Sequence, residues 1–72
     1  MANTYEAYAV MDNQAMVMTD EVHDTPMAAL NEMLNRGYSM EEMHENGFTL
    51  VKLLCEDGKW IECLEERNIE AE

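Results

Sequence analysis

Residues 4–11, TYEAYAVM, alternate in the manner of a strand: Tyr5, Ala7, Ala9 and Met11 fall on one side, Thr4, Glu6, Tyr8 and Val10 on the other. Asp12-Asn13-Gln14 brings turn chemistry, and AMVMT (15–19) returns as a second short strand, so the two predict a hairpin. DEVHD (20–24) is a polar lead-in to a different period. From Thr25 the pattern turns helical. Thr25 is placed to cap the first amides, and Pro26 suits the first helical position, where its missing N–H costs nothing. Met27, Leu30, Met33 and Leu34 share one face, with Asn31, Glu32 and Asn35 away from it. Arg36 in the last turn and Gly37 beyond it supply the stop.

A shorter helix follows. Ser39 and Glu42 have capping-box spacing, Tyr38 can staple against Met43, and Asn46-Gly47 ends it. FTLVKLLCE (48–56) is apolar on both faces, as an interior strand should be, and KWIECLEE (59–66) comes back after the EDG turn. The register of this hairpin is open to a chemical test. A two-residue Asp57-Gly58 turn pairs Leu53 with Glu62 and Lys52 with Cys63. A three-residue Glu56–Gly58 loop with Gly58 in a bulge pairs Leu54 with Trp60, Leu53 with Ile61, Lys52 with Glu62 and Leu50 with Leu64. The second set matches better and is the expectation. In neither register do Cys55 and Cys63 face each other, so no disulfide is expected.

The predicted fold is α+β: an antiparallel sheet in the order β-β-α-α-β-β, with the Thr25–Arg36 helix as the one main helix packed on one face. The 72 residues make a single domain, 1–72, with residues 68–72 frayed. A chain this short buries only about 60% of its unfolded surface, so its stability is thin.

Charge changes the picture. Sixteen acids against four bases give −12, yet 47% of residues are apolar, more than a disordered acidic tail would carry. Self-repulsion at that density opposes compaction, and solubility needs a magnitude of only about 2–8. Direct binding to nucleic acid or to an anionic membrane is disfavoured by repulsion. A basic protein surface is the natural complement. MANTYEAY lacks the basic and apolar regions of a signal peptide, and no apolar run approaches the ~20 residues of a membrane span. Two cysteines in that context suggest a reducing, cytoplasmic setting with free thiols.

Candidate chemistry is sparse. His23, His44, Cys55 and Cys63 are zinc-ligand types without zinc spacing, and DEVHD lacks the alternating oxygens and central Gly of a calcium loop; no metal and no cofactor are expected. The one serine, Ser39, is used as a cap, no Gly-rich segment could cradle phosphate, and no base stands beside a nucleophile, so the expectation is not an enzyme. Of the eight methionines, Met27 and Met33 are expected in the core, and the others either fill it or offer an adaptable contact surface.

The carboxylates remain. They fall in groups: Asp20, Glu21 and Asp24 before the main helix; Glu41, Glu42 and Glu45 on the short helix; Glu56 and Asp57 at the hairpin tip; Glu62, Glu65 and Glu66 on the last strand, with Glu70 and Glu72 beyond. The plain reading is a solvated face. The sharper one uses spacing: residues on one side of a strand repeat every ~6.6–6.8 Å, so an acidic edge can present charge at a nucleic-acid-like pitch. Such an edge would compete for the Lys/Arg groove of a nucleic-acid-binding protein and be steered to it electrostatically.

In size, charge and layout the whole chain resembles small, acidic, phage-encoded inhibitors of the anti-CRISPR class, the DNA mimics among them. That resemblance implies a non-enzymatic inhibitor acting in the bacterial cytoplasm; the oligomeric state is not fixed by the sequence, with a monomer the favoured expectation. Its target would be the basic nucleic-acid-recognition surface of a CRISPR effector complex. Two alternatives stand beside it. One is a phage inhibitor of host RNA polymerase or of a restriction enzyme, using the same acidic face. The other is an interaction module with an apolar contact surface built from Trp60, Tyr38 and exposed methionines.

Overall fold

The computed structural model describes residues 3–70. Its elements are β1 (Thr4–Met11), α1 (Pro26–Asn35), α2 (Met40–Glu45), β2 (Thr49–Glu56) and β3 (Lys59–Asn68). The strands form one antiparallel sheet in the order β1-β2-β3, and α1 and α2 lie together on one face of it, an α+β arrangement. No helix is long and apolar enough to cross a membrane, among the described residues. Two expectations about the layout are corrected. Residues 15–19 are not a strand, so the order is β-α-α-β-β, and two short helices of ten and six residues share the layer expected of one main helix.

The missing strand has a local cause and a geometric one. Asp12 Oδ1 accepts hydrogen bonds from the amides of Gln14 (2.8 Å) and Met16 (2.9 Å), and Ala15 sits at φ 63°, so the chain is still turning where the strand should begin. The segment then touches the outer edge of β1 only through isolated bridges, Met11 to Val17 and Tyr8 to His23. Residues 9–10 separate those bridges on β1 but 18–22 separate them opposite, so the surplus must loop outward. Thr19, Asp20 and Glu21 are that excursion.

The helix caps are as the sequence predicts. Thr25 Oγ1 accepts from Ala28 N at 3.1 Å, and Ser39 and Glu42 close the capping box at 3.0 and 3.2 Å. The buried stripe of α1 is rotated from the expected one: Ala29 and Met33 are fully buried, whereas Met27 is 63% exposed and Leu34 is also on the surface. On the helix side Val10, Ala29, Met33, Met43, Phe48 and Ile69 form one core cluster, with Tyr38 stacked at a tilt on Phe48. On the opposite face Ala7, Ala9, Met11, Val51, Leu53 and Cys55 form a second, closed over by Val17 and Val22 of the 12–24 segment. Ile69 is 4% exposed and its carbonyl meets His44 Nδ1 at 2.8 Å, so the expected fraying of 68–72 does not reach it. Asn68 is the last residue of β3, and Ala71 and Glu72 lie outside the described residues.

The β2–β3 connection is the two-residue turn, not the three-residue loop. Asp57 (φ 53°) and Gly58 (φ 80°) both occupy the left-handed region, as a hairpin turn that follows the sheet twist requires, and Glu56 pairs with Lys59. Two shifts further along, one between Leu54 and Cys55 and one between Lys52 and Leu53, change the pairs that register implied: Lys52 gains Glu65 as its partner, while Glu62 still faces a leucine. Trp60 faces Cys55, Glu62 faces Leu54, Cys63 faces Leu53, Glu65 faces Lys52 and Glu66 faces Val51, leaving Ile61 and Leu64 as the extra, bulged residues.

Candidate protein-docking surface

Those bulges set which side chains of β3 share a face. Cross-strand partners lie on the same side of a sheet, so Glu62 and Glu65 stand on the helix side with Leu54 and Lys52, two rungs apart. Trp60, Cys63 and Glu66 stand on the other side with Cys55, Leu53 and Val51. A strand of unbroken period two would have put Glu62 and Glu65 on opposite faces. With the bulge at Leu64, they are spaced by about 6.6–6.8 Å along one face, the pitch proposed from sequence.

All ten residues of β3 are exposed, and the strand is hydrogen-bonded to a neighbour on one side only. Between Lys59 and Arg67 at its ends it carries Glu62, Glu65 and Glu66 and no base. It begins at the Glu56-Asp57 tip and ends beside α2, where His44 holds Ile69 and where Glu41 and Glu45 are exposed. At ~3.3 Å per residue β3 spans about 33 Å, and it runs on from the Glu56-Asp57 tip with Glu62 and Glu65 on one face and Glu66 on the other. None of these carboxylates takes part in an ion pair among the described residues. Glu42 is the exception in kind: its carboxylate is occupied by the capping box.

The fourth group behaves differently. All three are exposed, but the Asp20 carboxylate pairs with Arg36 at 2.7 Å. Asp20 belongs to a network centred on Glu32, which accepts from Asp20 N at 2.7 Å, meets His23 Nε2 at 2.8 Å and pairs with Arg36 at 2.8 Å. Burial pushes the Glu32 carboxyl up, but those hydrogen bonds and the Arg36 guanidinium more than reverse it, and its pKa is lowered below 4.5. This network ties the outward loop to α1. Glu32 was assigned to the solvent side of the helix by periodicity alone, and only its i,i+4 spacing to Arg36 hinted at the role.

Apolar groups interleave with the charge. Trp60 (46% exposed), Ile61 and Leu64 are on β3, and Tyr5 lies in the same cross-strand row as Trp60. Ile61 and Leu64 are the bulged residues, and like the rest of β3 they are exposed. Tyr38 is instead half-buried on the helix-side core. Met16 and Met27 are exposed, while Met11, Met33 and Met43 are core. Lys52 is bound to Glu6 at 3.0 Å, with its pKa raised by that hydrogen bond and charge, so the central base of the sheet is already committed.

Both thiols are free: Cys55 is buried and Cys63 exposed. Desolvation raises both, and the Glu66 carboxylate raises Cys63 further, so neither is activated as a nucleophile. No cluster of three metal-ligating side chains occurs among the described residues. What this surface offers is contact chemistry: carboxylates at regular pitch, half-exposed apolar groups and an open backbone edge. No protein-family model matches the sequence, and no curated protein or solved structure matches it.

Proposed function

We propose that this protein is a non-enzymatic inhibitor that lays its β3 ridge into the Lys/Arg-lined nucleic-acid groove of a larger protein. The observation that carries the reading is β3 itself: ten exposed residues, with Glu62, Glu65 and Glu66 in no ion pair among the described residues, on an open edge. An isolated domain gains nothing from concentrating charge there, since the repulsion works against folding. A cationic groove converts that same field into attraction and faster encounter. The exposed Trp60, Ile61 and Leu64 add the apolar contacts that give such an encounter a lifetime. The anti-CRISPR resemblance names a CRISPR effector complex as the target, and host RNA polymerase or a restriction enzyme are grooves of the same chemistry.

The test is competition. A purified effector complex is titrated with its DNA in the presence of the protein, at low and at high salt. The wild type is expected to displace DNA at low salt and to lose most of its affinity at high salt. Glu62→Lys, Glu65→Lys and Glu66→Lys together should weaken it at least tenfold, about 1.4 kcal/mol or more. Displacement unchanged by the triple substitution and by salt would end the acidic-groove reading. The apolar module then becomes the better account.

A further inference from the structure

At the turn end of β3, a cleft of about 690 Å³ opens between residues 17–22 and the β2–β3 turn. Val17 and Val22 line it and pack down on the second core cluster, so part of its wall is apolar and fixed. Trp60 lines it from the β3 side, half-exposed, its position set by the Asp57-Gly58 turn and the rung it shares with buried Cys55. Glu21 and Asp20 contribute carboxylates, but Asp20 is committed to Arg36, whereas Glu21 has no ion pair among the described residues. Thr19 also lines the cleft. It is 6% exposed, and its Oγ1 lacks a hydrogen-bond partner, alone in this respect among the buried side-chain N and O atoms described.

The geometry points to this cleft as a receptor for an arginine side chain presented by the basic partner. An indole face and a free carboxylate are what a guanidinium satisfies together: its plane stacks on Trp60 while its donors reach Glu21. A purely apolar group would leave Glu21 desolvated, and an anion would meet the Glu21 charge. Lysine can form the charge contact but has no planar group to stack. Lys59 on the rim competes with the incoming cation. The inference rests on the basic-partner reading and adds to it a defined anchor, separate from the β3 carboxylates.

Trp60 is the single tryptophan, so its emission reports on the cleft. Hexa-arginine and hexa-lysine peptides are titrated into the full chain at low salt, followed by Trp60 fluorescence and by calorimetry. Hexa-arginine is expected to change Trp60 emission and to bind a few-fold tighter than hexa-lysine. Trp60→Ala and Glu21→Gln should each weaken hexa-arginine roughly fivefold, and Lys59→Gln should strengthen it. If both peptides bind with Trp60 emission unchanged and both cleft variants bind like wild type, the anchor is overturned. Loss of that same binding in the Glu62/Glu65/Glu66 lysine variant would show the ridge reading standing without it. Absence of calorimetric binding for either peptide would overturn both. Because Glu21 is exposed, its variant keeps the test valid even if Trp60→Ala disturbs the turn.

Discussion

β2 and β3 are neighbours in one sheet, bonded to each other along their length, and could hardly differ more. In β2 every second residue is buried: Thr49, Val51, Leu53 and Cys55, with strands on both sides. In β3 no residue is buried, one flank is open, and five of ten positions are charged: Lys59, Glu62, Glu65, Glu66 and Arg67. The division is too sharp to follow from size alone. β1, β2 and the helices hold both core clusters and must supply the stability, while β3 contributes a ladder of hydrogen bonds and a surface. Its two bulges serve both ends. They disrupt an edge that would otherwise invite indiscriminate strand pairing, and they turn Glu62 onto the face that carries Glu65.

The strongest way to break the comparison is to cut the same residue type from each strand. Leu53→Ala removes a fully buried side chain and should cost about 2–5 kcal/mol. Leu64→Ala removes one that is 38% exposed and should cost less than about 1 kcal/mol. At about 0.05–0.15 kcal/mol per residue the whole domain is stable by only several kcal/mol, so the first variant should be largely unfolded at 37 °C. Urea unfolding followed by far-UV circular dichroism measures both. Equal costs would mean that β3 shares the core after all.

Much of this was legible from sequence wherever the signal was local. Thr25-Pro26, the Ser39–Glu42 box and the glycines after each helix act within a turn of chain, and α1 and α2 sit where those signals put them. The alternation of β1 and the two-sided apolarity of β2 were equally direct. Errors arose where a distant contact decided. The α1 stripe was read through its large residues, but the sheet approaches at Ala29, whose small side chain allows it, and this turns Met27 outward. Matching side chains points to the wrong β3 register, whereas the Asp57-Gly58 backbone sets the turn and two bulges shift the pairs beyond it. Likewise the carboxylates could be counted from sequence, but that Asp20 was already spent depended on the outward loop returning to Arg36.

A smaller effect sharpens the contrast between spent and free carboxylates. Glu32 has a lowered pKa in the folded state, so its contribution is complete above the ordinary value of 4.5 and is lost as pH falls through the lower folded value. Glu32→Gln should remove about 1–2 kcal/mol at neutral pH, the scale of charge-assisted hydrogen bonds. It should also flatten the loss of stability on acidification below pH 4.5. Denaturant midpoints from pH 7 down to pH 3 test both parts. Wild type and variant losing stability in parallel on acidification would show that Glu32 is not the group responsible.

The free carboxylates of β3 should show the smallest effect on stability, and of the opposite sign. Glu62→Gln, Glu65→Gln and Glu66→Gln together leave no buried partner stranded, because all three side chains are exposed and outside any ion pair among the described residues. The one interaction at risk is the charge of Glu65 on Lys52, and Lys52 keeps its bond to Glu6. Against that small loss stands the removal of three charges from a chain of −12. The denaturation midpoint should therefore stay within about 0.5 kcal/mol of wild type or rise, with the rise largest at low salt, where repulsion is least screened. A drop beyond 1 kcal/mol would mean these side chains hold the fold together. A small gain in stability, together with weakened binding to a basic partner, would show charge kept on β3 at the fold's expense, as expected of a surface shaped by what it meets.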